Sequence, residues 1–291
     1  MAYRKTFQLK LRSGRLRLGE RTLVMGVLNV TPDSFSDGGK FFDVQRAVQQ
    51  ALVMQHDGAD IIDIGAESTR PGSLEISAAE ELSRLLPVLQ ALREKLKIPI
   101  SVDTRKAAVA EIALGAGAEI INDISGLHHD PRLAEVAAKH SAPLILMHMR
   151  GTPRTMQKGP FARDVVKEVV SGLRKSIATA RKHSVPRSKI VIDPGIGFGK
   201  SYAQNYELLT KLPELAKLGY PVMVGTSRKG FLGATLSKNG KPAPSDQRLW
   251  GTAASVVASI LNGAHIVRVH DVAEMAQVAR VTDAVLNFGK S

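Results

Sequence analysis

Residues 23–39 read LVMGVLNVTPDSFSDGG, and the change of character at Asn29 decides the fold. Leu23 to Leu28 form a short, nearly continuous apolar run, the pattern of a strand covered on both faces. After Asn29 the run cannot continue. Pro32 removes a backbone donor and biases Thr31 toward extended geometry. Asp33, Ser34, Ser36 and Asp37 are turn formers, and Gly38-Gly39 permits positive φ. A rigid strand therefore delivers a polar loop at its own end, the place where binding groups tend to sit.

The same beat recurs along the chain. Short apolar runs lie at about 23–30, 60–66, 99–104, 119–125, 143–149, 190–195, 221–227 and 265–271, with helical patterns between them. Asp43 precedes an amphipathic run to Gln55. Ser77-x-x-Glu80 is a capping box, Asp130-Pro131 pairs an N-cap with a first-turn proline, and Asp271-x-x-Glu274 opens the last helix. Gly58, Gly117, Gly219 and Gly263 each fall between a helix and the next strand, where a C-capping glycine turns the chain. Eight strands with intervening helices predict a parallel (β/α)8 TIM barrel starting at about residue 23. An open doubly wound sheet has the same periodicity and stays as the alternative. Ahead of the barrel, Phe7, Leu9 and Leu11 and then Leu16 and Leu18 alternate around Ser13-Gly14. This predicts an N-terminal β-hairpin within residues 1–20, suited to plugging the bottom of the fold. A transit peptide is the rival reading there, but the alternation fits a strand pair better than an amphipathic helix. Residues 1–291 are expected to form a single domain.

Composition narrows the chemistry. With 44% hydrophobic and 23% charged residues the chain is an ordinary globular sequence. It has no cysteine, which excludes disulfides, thiolate nucleophiles and cysteine-ligated metal sites. No apolar run approaches the roughly 18 residues of a membrane span, and the basic N-terminus lacks an apolar signal core. A cytoplasmic protein is expected, with no membrane partner. Forty Lys and Arg against 27 Asp and Glu give a formal charge of +13, which favours anionic partners. The basic residues are dispersed and aromatics are only 4%, so base-stacking surfaces are scarce and nucleic acid is not expected.

In a TIM barrel the site lies at the C-terminal strand ends. Those ends carry Asn29; Asp63 and Glu67; Asp103; Asn122 and Asp123; His148; Asp193; Ser227, Arg228 and Lys229; and Arg268, His270 and Asp271. Any one acid could be a turn former or a helix cap, as Asp271 is suited to be, and Asp123 and His148 also have a structural reading. The whole set is harder to explain structurally, because burying so many ionisable groups without a ligand is costly. Asp103, Asn122, Asp193 and Lys229 suit a flat heterocycle with an amidine-like donor edge and a carbonyl. Asn29, Arg268 and His270 suit a phosphate or diphosphate bridged by a hard cation such as Mg²⁺. Ser227-Arg228-Lys229 opens a helical segment and combines backbone donors with cations, a site for carboxylate or phosphate. The glycine series Asp193-Pro-Gly-Ile-Gly-Phe-Gly-Lys200 matches neither a dinucleotide fingerprint nor a P-loop, and reads as a tight loop holding Asp193.

At these residues the chain resembles the dihydropteroate synthases, a pterin-binding TIM-barrel family. The motifs run in order over nearly the whole sequence: NVTPDSFSDGG from Asn29, DIGAESTRPG from Asp63, SVDTRK from Ser101, INDISG from Ile121, LMHM from Leu146, DPGIGFGK from Asp193, GTSRKGF from Gly225 and RVHDV from Arg268. The resemblance implies a Mg²⁺-using transferase of folate biosynthesis, commonly a homodimer and a target of sulfonamides. Its substrates would be the small molecules (7,8-dihydropterin-6-yl)methyl diphosphate and 4-aminobenzoate, its products 7,8-dihydropteroate and pyrophosphate. By the same resemblance Asp103, Asn122, Asp193 and Lys229 hold the pterin, with Met147 and Phe198 packing nearby. Asp103, Asp193 and Lys229 are the expected catalytic groups. Asn29, Arg268 and His270 take the diphosphate, and Asn29 also meets the metal. Thr69, Arg70 and Pro71, with Phe198 and the turn from Ser227 to Gly230, form the aminobenzoate side. Gly230 departs from the pattern, since many members carry serine there. The loops from Thr31 to Phe41 and from Glu67 to Ser77 are the expected lids, with Gly38-Gly39 and Gly72 as hinges. A pterin-binding corrinoid methyltransferase is the nearest alternative. A non-catalytic anion-binding barrel is the alternative of another class.

Overall fold

The computed structural model describes residues 4–31, 39–69 and 72–289, with the backbone alone for 39–42. It opens with the expected hairpin, β1 (Phe7–Lys10) and β2 (Arg15–Leu18), paired antiparallel with Phe7 opposite Leu18 and Leu9 opposite Leu16. Eight further strands follow: β3 (Leu23–Asn29), β4 (Ile61–Gly65), β5 (Ile100–Asp103), β6 (Ile120–Asp123), β7 (Leu144–Met147), β8 (Ile190–Asp193), β9 (Met223–Val224) and β10 (Ile266–Val269). They form one parallel sheet in the order β8-β7-β6-β5-β4-β3-β10-β9. Its two ends meet through the Ile192–Val222 bridge, where Ile192 N–H donates to the Pro221 carbonyl at 2.9 Å. The sheet is therefore a barrel, and the open-sheet alternative falls.

Ten α-helices lie among the described residues: α1 (Gly39–His56), α2 (Ala78–Leu92), α3 (Ala107–Ala116), α4 (Leu133–Lys139), α5 (Val165–Lys182), α6 (Tyr202–Thr210), α7 (Leu212–Ala216), α8 (Gly230–Thr235), α9 (Leu249–Leu261) and α10 (Val272–Asn287). None is long and apolar enough to cross a membrane. Gly117 ends α3 at φ +126°, a conformation that a side chain would resist, and its N–H closes the last turn.

Each barrel strand is buried on both faces, and its alternate residues do different work. Outward residues such as Ile62, Ile64, Val102, Ile121, Leu144, Ile192 and Val267 pack beneath the helices. Inward residues at the start of the strands, Leu23, Met25, Ile61, Ile120, Ile145, Val191, Met223 and Ile266, form a second core that Leu9 and Leu18 of the hairpin complete. The hairpin is thus a plug, each fully buried leucine contributing about 1.5–3 kcal/mol. Arg4 fastens this end by donating to Thr22 Oγ1 at 2.7 Å and Asp283 Oδ1 at 2.9 Å, which ties the hairpin to α10.

Several local expectations are corrected. Helix α1 begins at Gly39, ahead of Asp43. Ser77 caps α2 by accepting from Glu80 N–H at 3.1 Å, but the Glu80 carboxylate turns to Arg84, so the box is half made. Helix α4 starts at Leu133; the Asp130 carboxylate accepts from Arg132 N–H at 3.2 Å ahead of it and also from Ala107 N–H at 3.0 Å at the start of α3. Asp271 stands at the N-cap of α10, yet its carboxylate pairs with Arg228 rather than with the helix. Most of the expected first lid, residues 32–38, lies outside the described residues, as do Arg70 and Pro71 of the second.

Candidate active site

Two residues above the apolar plug, the inward positions turn polar: Asp63 on β4, Ser101 on β5, Asn122 on β6, Asp193 on β8 and Arg268 on β10. At their centre Arg268 bridges two acids. Its Nε donates to Asp63 Oδ2 at 2.6 Å and its Nη2 to Asp103 Oδ2 at 2.8 Å. Asn122 Nδ2 donates to the same Asp63 oxygen at 2.9 Å. Gly65 stands above Asp63 on β4, where a Cβ would be in ordinary contact with the Asp103 Cβ at 3.5 Å.

Burial sets the protonation of this layer. Desolvation lifts Asp103 to about 7 against the pull of Arg268, and neighbouring Asp63 adds to the lift. Desolvation likewise raises Asp193 to about 6, although Gly195 N–H and the charge of Lys229 favour its ionised form. Lys229 is lowered to about 8 by burial and by Arg268, with Asp193 and Asp103 opposing. Three groups thus sit near neutrality, the range in which catalytic acids and bases are useful.

The loop after β8 builds one wall. Asp193 Oδ1 accepts from Gly195 N–H at 2.7 Å. Gly195 must be glycine, because a Cβ there would come within 2.0 Å of the His148 carbonyl oxygen. Lys200 closes the loop by donating to the Phe198 carbonyl at 2.8 Å and the His148 carbonyl at 3.2 Å. Phe198 then packs with Met147, Ile124 and Met156, and Lys229 Nζ stands 3.9 Å from its ring centroid. This gives an apolar face beside Asp193 and Lys229. His148, lowered to about 3 by burial and then by Lys200, is a structural neutral imidazole.

Opposite this wall, His270 lies against Ser227. The Ser227 hydroxyl accepts from His270 N–H at 3.1 Å and lies 3.0 Å from Nδ1. With the hydroxyl donating to Nδ1, the imidazole N–H stands on Nε2. Burial and the positive charges of Arg268, Arg228 and Lys229 lower His270 to about 3, so this donor is neutral. Ser227, expected on the aminobenzoate side, thus serves His270. Arg228 holds φ +57°, costing roughly 1–2 kcal/mol, and is pinned by Asp271 and by Thr252 Oγ1 accepting from its N–H at 3.1 Å. Asn29 ends β3, half-buried at the mouth. Gly230 opens α8, and among the described residues only the Tyr202 hydroxyl, at 3.9 Å, lies near an added Cβ.

Thr69 belongs to a loop anchored from below. Glu67 accepts from Ile76 N–H at 3.2 Å, Arg105 Nη2 at 3.0 Å and Lys106 Nζ at 3.0 Å, and Lys106 also donates to Glu81 at 2.6 Å. Burial acts to raise the Glu67 carboxyl, but these donors win and hold it below its ordinary range. Asp123 points outward and caps its own turn, accepting from Ser125 N–H at 2.8 Å and Leu127 N–H at 2.6 Å. The residues that the motif reading left without a role are Asp63, Lys200 and the Glu67–Arg105–Lys106 cluster. An acid inside the apolar run IIDIG was the signal for the first.

Comparison with known proteins gives the same answer. Residues 25–270 match the family model described as pterin binding enzyme. A dihydropteroate synthase from Synechocystis is 51% identical over 92% of this chain and 91% of its own length. A Clostridium difficile dihydropteroate synthase solved in the presence of pteroic acid is 46% identical, with a TM-score of 0.86 over 92% of this chain and 98% of that one. A Xanthomonas albilineans dihydropteroate synthase with 4-aminobenzoic acid is 40% identical, with a TM-score of 0.89 over 97% and 99% of the two chains. The chain belongs to the pterin-binding enzymes, in the dihydropteroate synthase family.

Proposed function

We propose that the barrel mouth joins (7,8-dihydropterin-6-yl)methyl diphosphate to 4-aminobenzoate, releasing pyrophosphate and 7,8-dihydropteroate. The observation that carries the roles is the polar cluster in which Arg268 bridges Asp63 and Asp103 and Asn122 donates to the same Asp63 oxygen, with Asp193 buried at the end of β8. Asp193 and the free Oδ1 of Asn122 would accept from the donor edge of the pterin, with Lys229 at its carbonyl and Met147 and Phe198 against its faces. Arg268 and the His270 Nε2–H would hold the diphosphate. Thr69, Arg70, Pro71, Phe198 and the Ser227–Gly230 turn would receive the arylamine.

The reaction is then a dissociative displacement. The bond from the pterin methylene to the diphosphate oxygen breaks, and its electron pair leaves with the diphosphate. The cation left behind is delocalised into the ring, where the Asp193 and Asp103 charges favour it. The neutral amine of aminobenzoate attacks the methylene, forming the C–N bond and losing its proton. No nucleophilic side chain is required. Loops at the mouth exclude water that would otherwise capture the cation.

Among the described residues no group of three His, Asp or Glu side chains forms a metal cage. The Asn29 amide oxygen is a hard donor at the diphosphate end, which fits Mg²⁺, an ion that takes few protein ligands and fills its shell from phosphate and water. Bound there, Mg²⁺ would offset charge on the leaving diphosphate. The protein would act in the cytoplasm as a homodimer. A dimer is supported by α10, which turns Val281 and Val285 outward, with Phe288 just past its end and Trp250 of α9 exposed as well. The functional test is pyrophosphate release on mixing both substrates. Release coupled to 7,8-dihydropteroate formation is expected, and no product from the pair would refute the reading.

A further inference from the structure

Asp63 lies one step deeper than the strand-end residues. It is fully buried between Ile61 of the plug layer and Gly65 at the rim. Its Oδ2 receives both Arg268 Nε and Asn122 Nδ2, at 2.6 and 2.9 Å. Both N–H groups donate to this one oxygen, so Asp63 decides which way its neighbours face. Asn122 has to turn its NH₂ toward Asp63. The remaining atom, Asn122 Oδ1, is buried and has no hydrogen-bond partner among the described residues. Leaving such an acceptor unmatched is costly, which points to a ligand donor in that place. Arg268 is fixed in the same way. Nε and Nη2 are taken by Asp63 and Asp103, which sets the guanidinium plane and leaves Nη1 as the end that neither acid engages.

We propose that Asp63 is a positioning residue that sets the polarity of the pterin pocket: it commits Asn122 to act as an acceptor and orients Arg268 at the rim. The pocket then selects a heterocycle that offers an N–H at Asn122 and rejects one that places an acceptor there. Ser101, the register neighbour of Asp63 on β5, makes no competing bond to it. The inference rests on the functional reading above.

The test is calorimetric binding of 6-hydroxymethylpterin, which carries no diphosphate, to the wild type, Asp63→Asn, Asn122→Ala and the double variant, with melting curves for each. Asp63→Asn should weaken binding about tenfold, the scale of a hydrogen bond to a charged group. In the Asn122→Ala background the same change should cost less than about threefold, because the residue it acts through is gone. Binding by Asp63→Asn within twofold of the wild type, or an equal loss in both backgrounds, would overturn the proposal. Should Asp63→Asn not fold, the Asn122 side-chain amide of the unliganded wild type is read by ¹⁵N NMR, assigned by its loss in Asn122→Ala. Slow hydrogen exchange is expected for an NH₂ held by a buried carboxylate. Exchange as fast as at exposed asparagines would refute it. A wild type that binds no pterin would refute the functional reading instead, and the exchange measurement would still judge Asp63.

Discussion

The two ends of the barrel interior are built by the same strands and differ completely. Ile61, Ile120, Val191 and Ile266 face inward at the bottom, and two residues later Asp63, Asn122, Asp193 and Arg268 face inward near the mouth. The lower layer is covered by Leu9 and Leu18 of the hairpin and contributes stability. The upper layer carries charges lifted or lowered toward neutrality by burial, and it costs stability in return for chemistry. A period of two along a strand is therefore enough to keep a rigid foundation and a reactive surface in one element.

The sharpest way to break this division is Arg268→Ala, since Arg268 belongs to both accounts. It would leave Asp63 and Asp103 without their shared cation, costing about 3–5 kcal/mol in stability, read by urea unfolding. Turnover should fall as well, by roughly 10²–10³-fold. In the bottom layer Leu18→Ala should cost about 2–5 kcal/mol, while kcat at 20 °C stays within twofold for the folded protein.

The titrating groups give the next effect. If Asp193 and Asp103 must be ionised, kcat/KM for the pterin diphosphate should rise through the interval from about 6 to about 7. It should fall again as Lys229 loses its proton near 8, for a maximum between these limbs. A profile flat from pH 5 to 9 would remove these groups from the chemistry. The smallest change is expected at Gly230→Ser, where the added atoms enter open space. KM for aminobenzoate should fall by about twofold to threefold through one extra hydrogen bond, with KM for the pterin substrate unchanged.

How far the sequence could be read follows from the range of each interaction. Barrel strands announce themselves locally, by apolar runs that stop at polar loops, and the hairpin by its alternation. The residues at strand ends were legible for the same reason. The pairing of Arg268 with Asp63 joins positions 205 residues apart, and no local pattern carries it. Ser227 meets His270 across 43 residues, a contact that no local pattern carries either. Asp271 holds the N-cap position of the last helix, but its carboxylate is the counter-ion of Arg228, 43 residues away. Closure of the sheet hangs on the bridge from Ile192 to Val222, which periodicity cannot show.

The most direct test of the division is one variant measured twice, Asp193→Asn, for turnover and for melting at pH 7.5. The raised pKa means that Asp193 favours the fold most when protonated, and that this contribution is lost as pH rises through about 6. An amide cannot ionise and does not lose it. Pyrophosphate release should therefore fall by about 10²–10³-fold while the melting temperature stays level or rises. Turnover within threefold of the wild type, or a melting temperature that falls along with turnover, would contradict the account.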